Sequence, residues 1–182
     1  ANLPVPQNLM SRLRPNILEA RARLAVGCQE LQRSHQEGAS GVDLCRAASK
    51  LRDEVILQLL GDASADRSVC PPDTVERLAV VAHGGYGRRE VCPFSDVDLM
   101  VLCPNRLMDA ARPLAERLFR DIFDAGLVVG HSLRTPEEAW RLACEDAQVC
   151  TSLIESRLLS GSRPLFDDYW AGFNRRLRRN AR

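Results

Sequence analysis

A chain of 182 residues, 45% apolar and with a formal net charge of +1, is long enough to bury one core and has no overall charge to draw it to nucleic acid or a membrane surface. No apolar run approaches the roughly 20 residues that span a bilayer, and Ala1-Asn2-Leu3-Pro4 lacks a charged-then-apolar signal pattern. These features argue against a helical membrane protein, a secreted precursor and a low-complexity chain, and partners among DNA, RNA and lipid are not expected.

In chain order, Leu13, Ile17, Leu24 and Leu31 recur at helical spacing and predict a helix over 9–37, despite Pro15 near its start. Gly38-Ala39-Ser40-Gly41 breaks it. Leu44, Ala47, Leu51, Val55 and Leu59 predict a second amphipathic helix over 43–60, antiparallel to the first. Glycine, aspartate, serine and two prolines over 61–72 read as a linker. Residues 1–72 are thus a helical hairpin with its linker, and 73–182 form an α/β part. There, Leu78-Ala79-Val80-Val81-Ala82 and Leu99-Met100-Val101-Leu102 predict buried strands, 107–125 a helix ended by Gly126, and 127–133 a third strand. Thr135-Pro136-Glu137-Glu138 opens a helix, with threonine as cap and acids at the positive end of the dipole. Helices follow to about 143, over 147–160, and from Pro164 into the tail Arg175-Arg176-Leu177-Arg178-Arg179, read as a solvated helix face or a packing surface. The missing initiator methionine and the arginine-rich C-terminus suggest a trimmed chain.

Lys50 is the only lysine, so a phosphate contact would come from arginine, whose planar fork suits it. Seven cysteines are scattered without a Cys-x-x-Cys pair. The pattern predicts buried free thiols in a reducing cytoplasm rather than zinc ligands.

The most informative segment runs from Gly84 to Leu99. Gly84-Gly85 closes an apolar strand, a short helical insert follows, and Asp96 and Asp98 stand one residue apart at the mouth of the next strand. Alternate strand residues share a face, so the two carboxylates point the same way and repel unless a cation lies between them. Oxygen-only ligands favour Mg2+ or Mn2+. The glycines let backbone amides approach a phosphate. Arg88 or Arg89 can reach a phosphate oxygen, and Ser95 can donate one more hydrogen bond. The segment matches neither a P-loop nor a dinucleotide fingerprint nor a calcium loop. It suits a nucleotidyltransferase domain.

On these residues the chain resembles the polymerase-β-like nucleotidyltransferase superfamily, whose signature is a glycine pair followed by Asp-x-Asp. Gly84-Gly85-Tyr86-Gly87-Arg88, Glu90 and Ser95-Asp96-Val97-Asp98-Leu99 are similar to the N-terminal domain of the bacterial PII-protein uridylyltransferase/uridylyl-removing family. The segments 126–135 and 152–161, and the hairpin with Glu37-Gly38-Ala39-Ser40, resemble further motifs of that family. The resemblance implies an α+β fold with a small mixed sheet flanked by helices, the leading hairpin and C-terminal helices. It also implies transfer of UMP from UTP to a tyrosine of the PII signalling protein, releasing pyrophosphate. Asp96 and Asp98 would be the catalytic, metal-holding pair. Gly84, Gly85, Arg88 and Ser95 would bind the nucleotide.

Three departures stand out. Arg89 occupies a position where the family pattern has glycine. The third strand has no acid, only His131, read as a nucleotide contact or base, or as a structural imidazole bonded to backbone; Glu155 is the candidate third carboxylate, or else a capping residue or an arginine partner. His35, His83 and His131 are not followed by aspartate, so the uridylyl-removing dyad and the glutamine-sensing modules are not expected here. A transferase with another nucleotide or acceptor, or a nucleotide-sensing domain without turnover, are the alternatives.

Overall fold

A computed structural model describes residues 13–93 and 95–180. The first helix, α1, spans Pro15–Gln36; the expected turn at 9–12 lies outside the described residues. Pro15 sits in the first turn, where its missing N–H has no partner to lose, so it starts the helix rather than interrupting it. The second helix, α2 (Gly41–Ala65), is capped by Ser40, whose hydroxyl accepts from the Asp43 amide at 3.2 Å. It continues through Gly61, which the sequence assigns to the linker. Leu59, Leu60 and Ala63 extend one buried stripe past that glycine, and tertiary packing outweighs its low propensity. Asn16 bonds Asp62 and Arg23 bonds Gln58, so the hairpin is antiparallel.

After a 3-10 turn at Val75–Arg77 come β1 (Ala79–Ala82), a one-turn helix α3 (Gly84–Gly87) and β2 (Val97–Leu102). A second 3-10 turn at Asn105–Leu107 leads into α4 (Met108–Asp124), followed by β3 (Val129–Arg134) and α5 (Pro136–Glu145). The Thr135 cap of α5 forms a reciprocal capping box with Glu138. Then come α6 (Ala147–Ile154), β4 (Arg157–Gly161) and α7 (Arg163–Asn180).

The strand β4 corrects the sequence expectation of one helix over 147–160. Arg157-Leu158-Leu159-Ser160 consists mostly of good helix formers, but it pairs antiparallel along the free edge of β1. Local preference loses to that pairing.

The sheet order is β3-β2-β1-β4. β2 is antiparallel to β1 and parallel to β3. On one face, Val80, Ala82, Leu99 and Val101 pack with Ile17, Val55, Ile56 and Leu59 of the hairpin and with Leu114 and Leu118 of α4. On the other, Ala79, Val81, Met100 and Leu102 pack with Ala139, Leu153, Phe166, Tyr169 and Phe173. The two central strands are covered on both faces and therefore read as unbroken apolar runs. The result is the mixed α+β architecture with a small mixed sheet that the resemblance implies. No described helix is long and apolar enough to cross a membrane.

Polar ties join the layers. Arg14 of the chain entering α1 and Arg117 of α4 both bind Asp121, which is fully buried. Arg157 of β4 makes a bidentate pair with Asp53 of α2 at 2.9 and 3.0 Å, and donates to the carbonyls of Tyr86 and Gly87 at 3.3 and 3.2 Å. The buried Tyr86 hydroxyl donates to the same Asp53 at 2.6 Å. Burial, then the neighbouring Asp53 charge, push the Tyr86 phenol far above its ordinary range, so it stays a donor. This knot clamps α3 between α2 and β4.

Removing one partner leaves the others unpaired in a largely dry setting. Arg157→Met and Asp53→Ala should each destabilise the fold by about 2–3 kcal/mol. The double variant should cost much less than their sum, because both act on one network. Urea denaturation followed by circular dichroism checks this; unchanged midpoints would show that the clamp does not hold the fold.

Candidate active site at the glycine turn

The site forms where β1 ends and β2 begins. Antiparallel pairing brings the His83 amide to the Asp98 carbonyl at 3.1 Å. The chain then reverses through Gly84, whose φ of +58° lies in the left-handed region that glycine enters without penalty. From the other side, the parallel register sets Gly130 of β3 opposite Asp98.

The half-buried Asp98 side chain fills the space these two glycines leave. A Cβ on Gly84 would lie 2.8 Å from Asp98 Oδ2, and one on Gly130 would lie 2.8 Å from Oδ1. Both are inside contact distance, so each carboxylate oxygen borders bare backbone. The same point beside Gly84 is 3.2 Å from Ser152 Oγ on α6. Ser152 Oγ is 2.8 Å from His83 Nδ1. Burial holds the His83 imidazole below its ordinary range, partly opposed by the Asp98 charge and reinforced by Arg134, so it is neutral near pH 7.

Asp96 is exposed in the residue just before β2. The described ion pairs leave both Asp96 and Asp98 without an arginine or lysine partner. Among the described residues, no group of three or more His, Cys, Asp or Glu side chains is gathered for a metal ion. Carboxylates such as Asp96 and Asp98 offer only oxygen, the donor type that fits a hard divalent cation.

The remaining sequence candidates take varied positions. Gly85 follows Gly84 in the first turn of α3, where amides have no acceptor within the helix. Ser95 is exposed, and its hydroxyl accepts from the Cys92 amide at 3.2 Å while its own amide bonds the Cys92 carbonyl. Arg88 is exposed and paired with Glu90 at 2.7 Å, which raises its pKa, chiefly through that hydrogen bond. Glu155 caps the C-terminus of α6 and is not the partner of Arg157, which binds Asp53 instead. His131 is exposed, lies 4.4 Å from the Phe119 ring, and has Nδ1 3.4 Å from the Val129 carbonyl. None of the seven cysteines forms a disulfide; Cys70 and Cys103 are buried, but Cys28, Cys92 and Cys144 are exposed, which corrects the expectation that the thiols are buried.

Sequence reasoning missed His83, Gly130 and Ser152. Their signal was indirect: Gly130 and Ser152 lie in the second and third motifs of the resemblance, but only strand register and the approach of α6 bring them to Asp98.

Arg89 has a physical account. It follows α3 with φ of +62°. The Glu90 amide bonds the Gly85 carbonyl at 2.9 Å and the Arg89 amide bonds the Tyr86 carbonyl at 3.2 Å. That is the Schellman ending of a helix, with Arg89 at the left-handed position glycine prefers.

No family model matches the chain. Among curated proteins, it is 42% identical over 153 residues to the bifunctional uridylyltransferase/uridylyl-removing enzyme of Aromatoleum aromaticum, covering 84% of this chain and 17% of that protein. It is 36% identical over 156 residues to the protein of the same name from Nitrosospira multiformis, covering 82% of this chain and 16% of that one. With that of Burkholderia lata it shares 35% identity over 163 residues, covering 90% and 18%. The chain thus spans under one fifth of the length of these relatives.

Glycine at position 89 removes the left-handed strain. Arg89→Gly should stabilise the chain by about 1 kcal/mol and raise its melting temperature by about 2–4 °C. Differential scanning calorimetry reads the shift; a lower melting temperature would show that the arginine side chain makes a compensating contact.

Proposed function

Because this chain belongs to the bifunctional uridylyltransferase/uridylyl-removing enzyme family, we propose that it is a nucleotidyltransferase domain of the polymerase-β-like fold. In this reading it transfers UMP from UTP to a tyrosine of the PII signalling protein and releases pyrophosphate. The observation that carries it is the Asp98 carboxylate seated between Gly84 and Gly130, with Asp96 at the strand mouth and no described cation neutralising either acid.

Asp96 and Asp98 would hold Mg2+ or Mn2+. When bound, the ion supplies charge neutralisation for the polyphosphate and its leaving group. The protein's own share is positioning. The first-turn amides of Gly84 and Gly85 are without helical acceptors and aim at an anionic polyphosphate. The Ser95 hydroxyl, which accepts from Cys92, keeps its proton to donate. Arg88 is held by an exposed pair to Glu90; such pairs are weak, so the guanidinium can leave Glu90 for a phosphate oxygen. The Asp53–Arg157–Tyr86 knot keeps the turn in place, so little reorganisation is needed on binding.

A second reading, a nucleotide-sensing domain without turnover, is favoured by one observation: the described residues contain no group of three or more His, Cys, Asp or Glu side chains that could hold a metal ion. Both readings predict nucleotide binding. Only the first predicts chemistry.

Calorimetry with Mg2+ should show UTP binding more tightly than CTP, ATP or GTP; preference for ATP would overturn the uridylyl assignment. Asp96→Asn combined with Asp98→Asn should reduce transfer of labelled UMP to PII by at least about 100-fold. Undiminished transfer would remove the assigned role of these acids. UTP binding without pyrophosphate release would favour the sensing reading.

A further inference from the structure

A buried charge without a counter-charge costs stability. Arg52 of α2 is such a group. It falls in the buried stripe of that helix, between Ser49 and Val55, and is 4% exposed. It takes part in none of the described ion pairs. Burial holds its guanidinium below the ordinary range, and its Nε is buried without a partner. An apolar side chain of similar size would serve the packing of this stripe at least as well.

What the guanidinium holds is a turn. Its Nη1 donates to the Ala48 carbonyl one helical turn back, at 3.0 Å, which aims the group. Its Nη2 donates to the carbonyls of Cys92 and Pro93 at 3.1 and 2.6 Å. The Cys92 carbonyl also accepts from the Ser95 amide at 3.0 Å, and the Cys92 amide donates to Ser95 Oγ at 3.2 Å. These bonds close a turn over 92–95 with proline in its second position, where a fixed φ suits it. On the far side, the Val97 amide donates to the Val128 carbonyl at 2.9 Å. Asp96 is therefore a single residue between two fixed points, one set by the sheet and the other by Arg52.

We propose that Arg52 is a positioning residue for Asp96: by pinning the turn over 92–95 to α2, it sets where the Asp96 carboxylate stands to receive a divalent cation. This rests on the reading of Asp96 as a cation ligand. Cation affinity is then governed partly by the leading hairpin, outside the glycine-pair and Asp-x-Asp segment. The fold gains little from the same residue. Cys92 and Pro93 are exposed, so water replaces the guanidinium at their carbonyls once it is removed, and no buried acid is left without its partner.

The test uses the 182-residue chain with Mn2+ alone, without nucleotide, read by calorimetry and by the fall in free-ion electron paramagnetic resonance signal, alongside melting curves. Arg52→Met should melt within about 3 °C of the parent. It should nevertheless weaken Mn2+ binding by about 10-fold, as loss of an outer partner of a metal ligand does. In an Asp96→Asn background the same change should alter binding by less than about 2-fold, because Arg52 acts through Asp96. If Arg52→Met binds Mn2+ like the parent while Asp96→Asn does not, the positioning role is overturned and the cation site stands. If Asp96→Asn also binds like the parent, the reading of Asp96 as a ligand falls, and the proposal with it. Equal weakening by Arg52→Met in both backgrounds would show that it acts elsewhere. A melting temperature lowered by more than about 8 °C, or loss of the fold, would assign Arg52 to the fold and overturn the proposal.

Discussion

One steric constraint organises this molecule: the Asp98 carboxylate occupies volume that Cβ atoms of Gly84 and Gly130 would need. The mixed sheet produces it. Antiparallel pairing with β1 ends at His83, so the chain turns away beside Asp98. Parallel pairing with β3 brings Gly130 up on the other flank. The topology therefore decides which backbone atoms face the carboxylate, and the glycines are the residues that can meet that demand.

The leading hairpin does more than cover a sheet face. Two consecutive residues of α2 hold the two ends of the glycine-to-aspartate segment. Asp53 receives Tyr86 and Arg157 at the glycine turn. The buried Arg52 donates to the carbonyls of Cys92 and Pro93 at 3.1 and 2.6 Å, on the approach to Ser95 and Asp96. Arg52 also bonds the Ala48 carbonyl, and its Nε is the one buried side-chain polar atom left without a partner among the described residues. Burying a guanidinium this way is costly, and the contact it secures is with the loop rather than with the core. The hairpin is thus continuous with the site, mechanically as well as through the shared apolar cluster.

Much of this was legible in the sequence because it rests on local rules. The apolar runs at 78–82 and 99–102 lie within or against β1 and β2, and Thr135 caps α5 with the reciprocal bond to Glu138. The spacing from glycine pair to aspartates locates the turn and the strand mouth. What stayed hidden depends on long-range pairing. Arg157–Gly161 has no strand signal of its own and becomes β4 only along the edge of β1. Gly61 reads as a stop, yet the stripe of Leu59, Leu60 and Ala63 carries α2 past it. His83 and Ser152 lie 69 residues apart in sequence, so no window could join them. Arg157 was a candidate partner for nearby Glu155, but the choice of Asp53 depends on how α2 crosses the sheet.

The absence of an acid from β3 follows from the same constraint. The residue opposite Asp98 in the parallel register is Gly130. Any side chain introduced there would place a Cβ 2.8 Å from Asp98 Oδ1, so the Asp98 carboxylate would have to turn aside. The next residue of β3 on that face is Ser132, beside Met100 and farther from the turn. A side chain at position 130 is therefore incompatible with Asp98 in its present orientation. What surrounds Asp98 instead is neutral: two bare backbones, a hydroxyl and an imidazole held below its charging range. Such a setting leaves the Asp98 carboxylate without an ion-pair partner among the described residues.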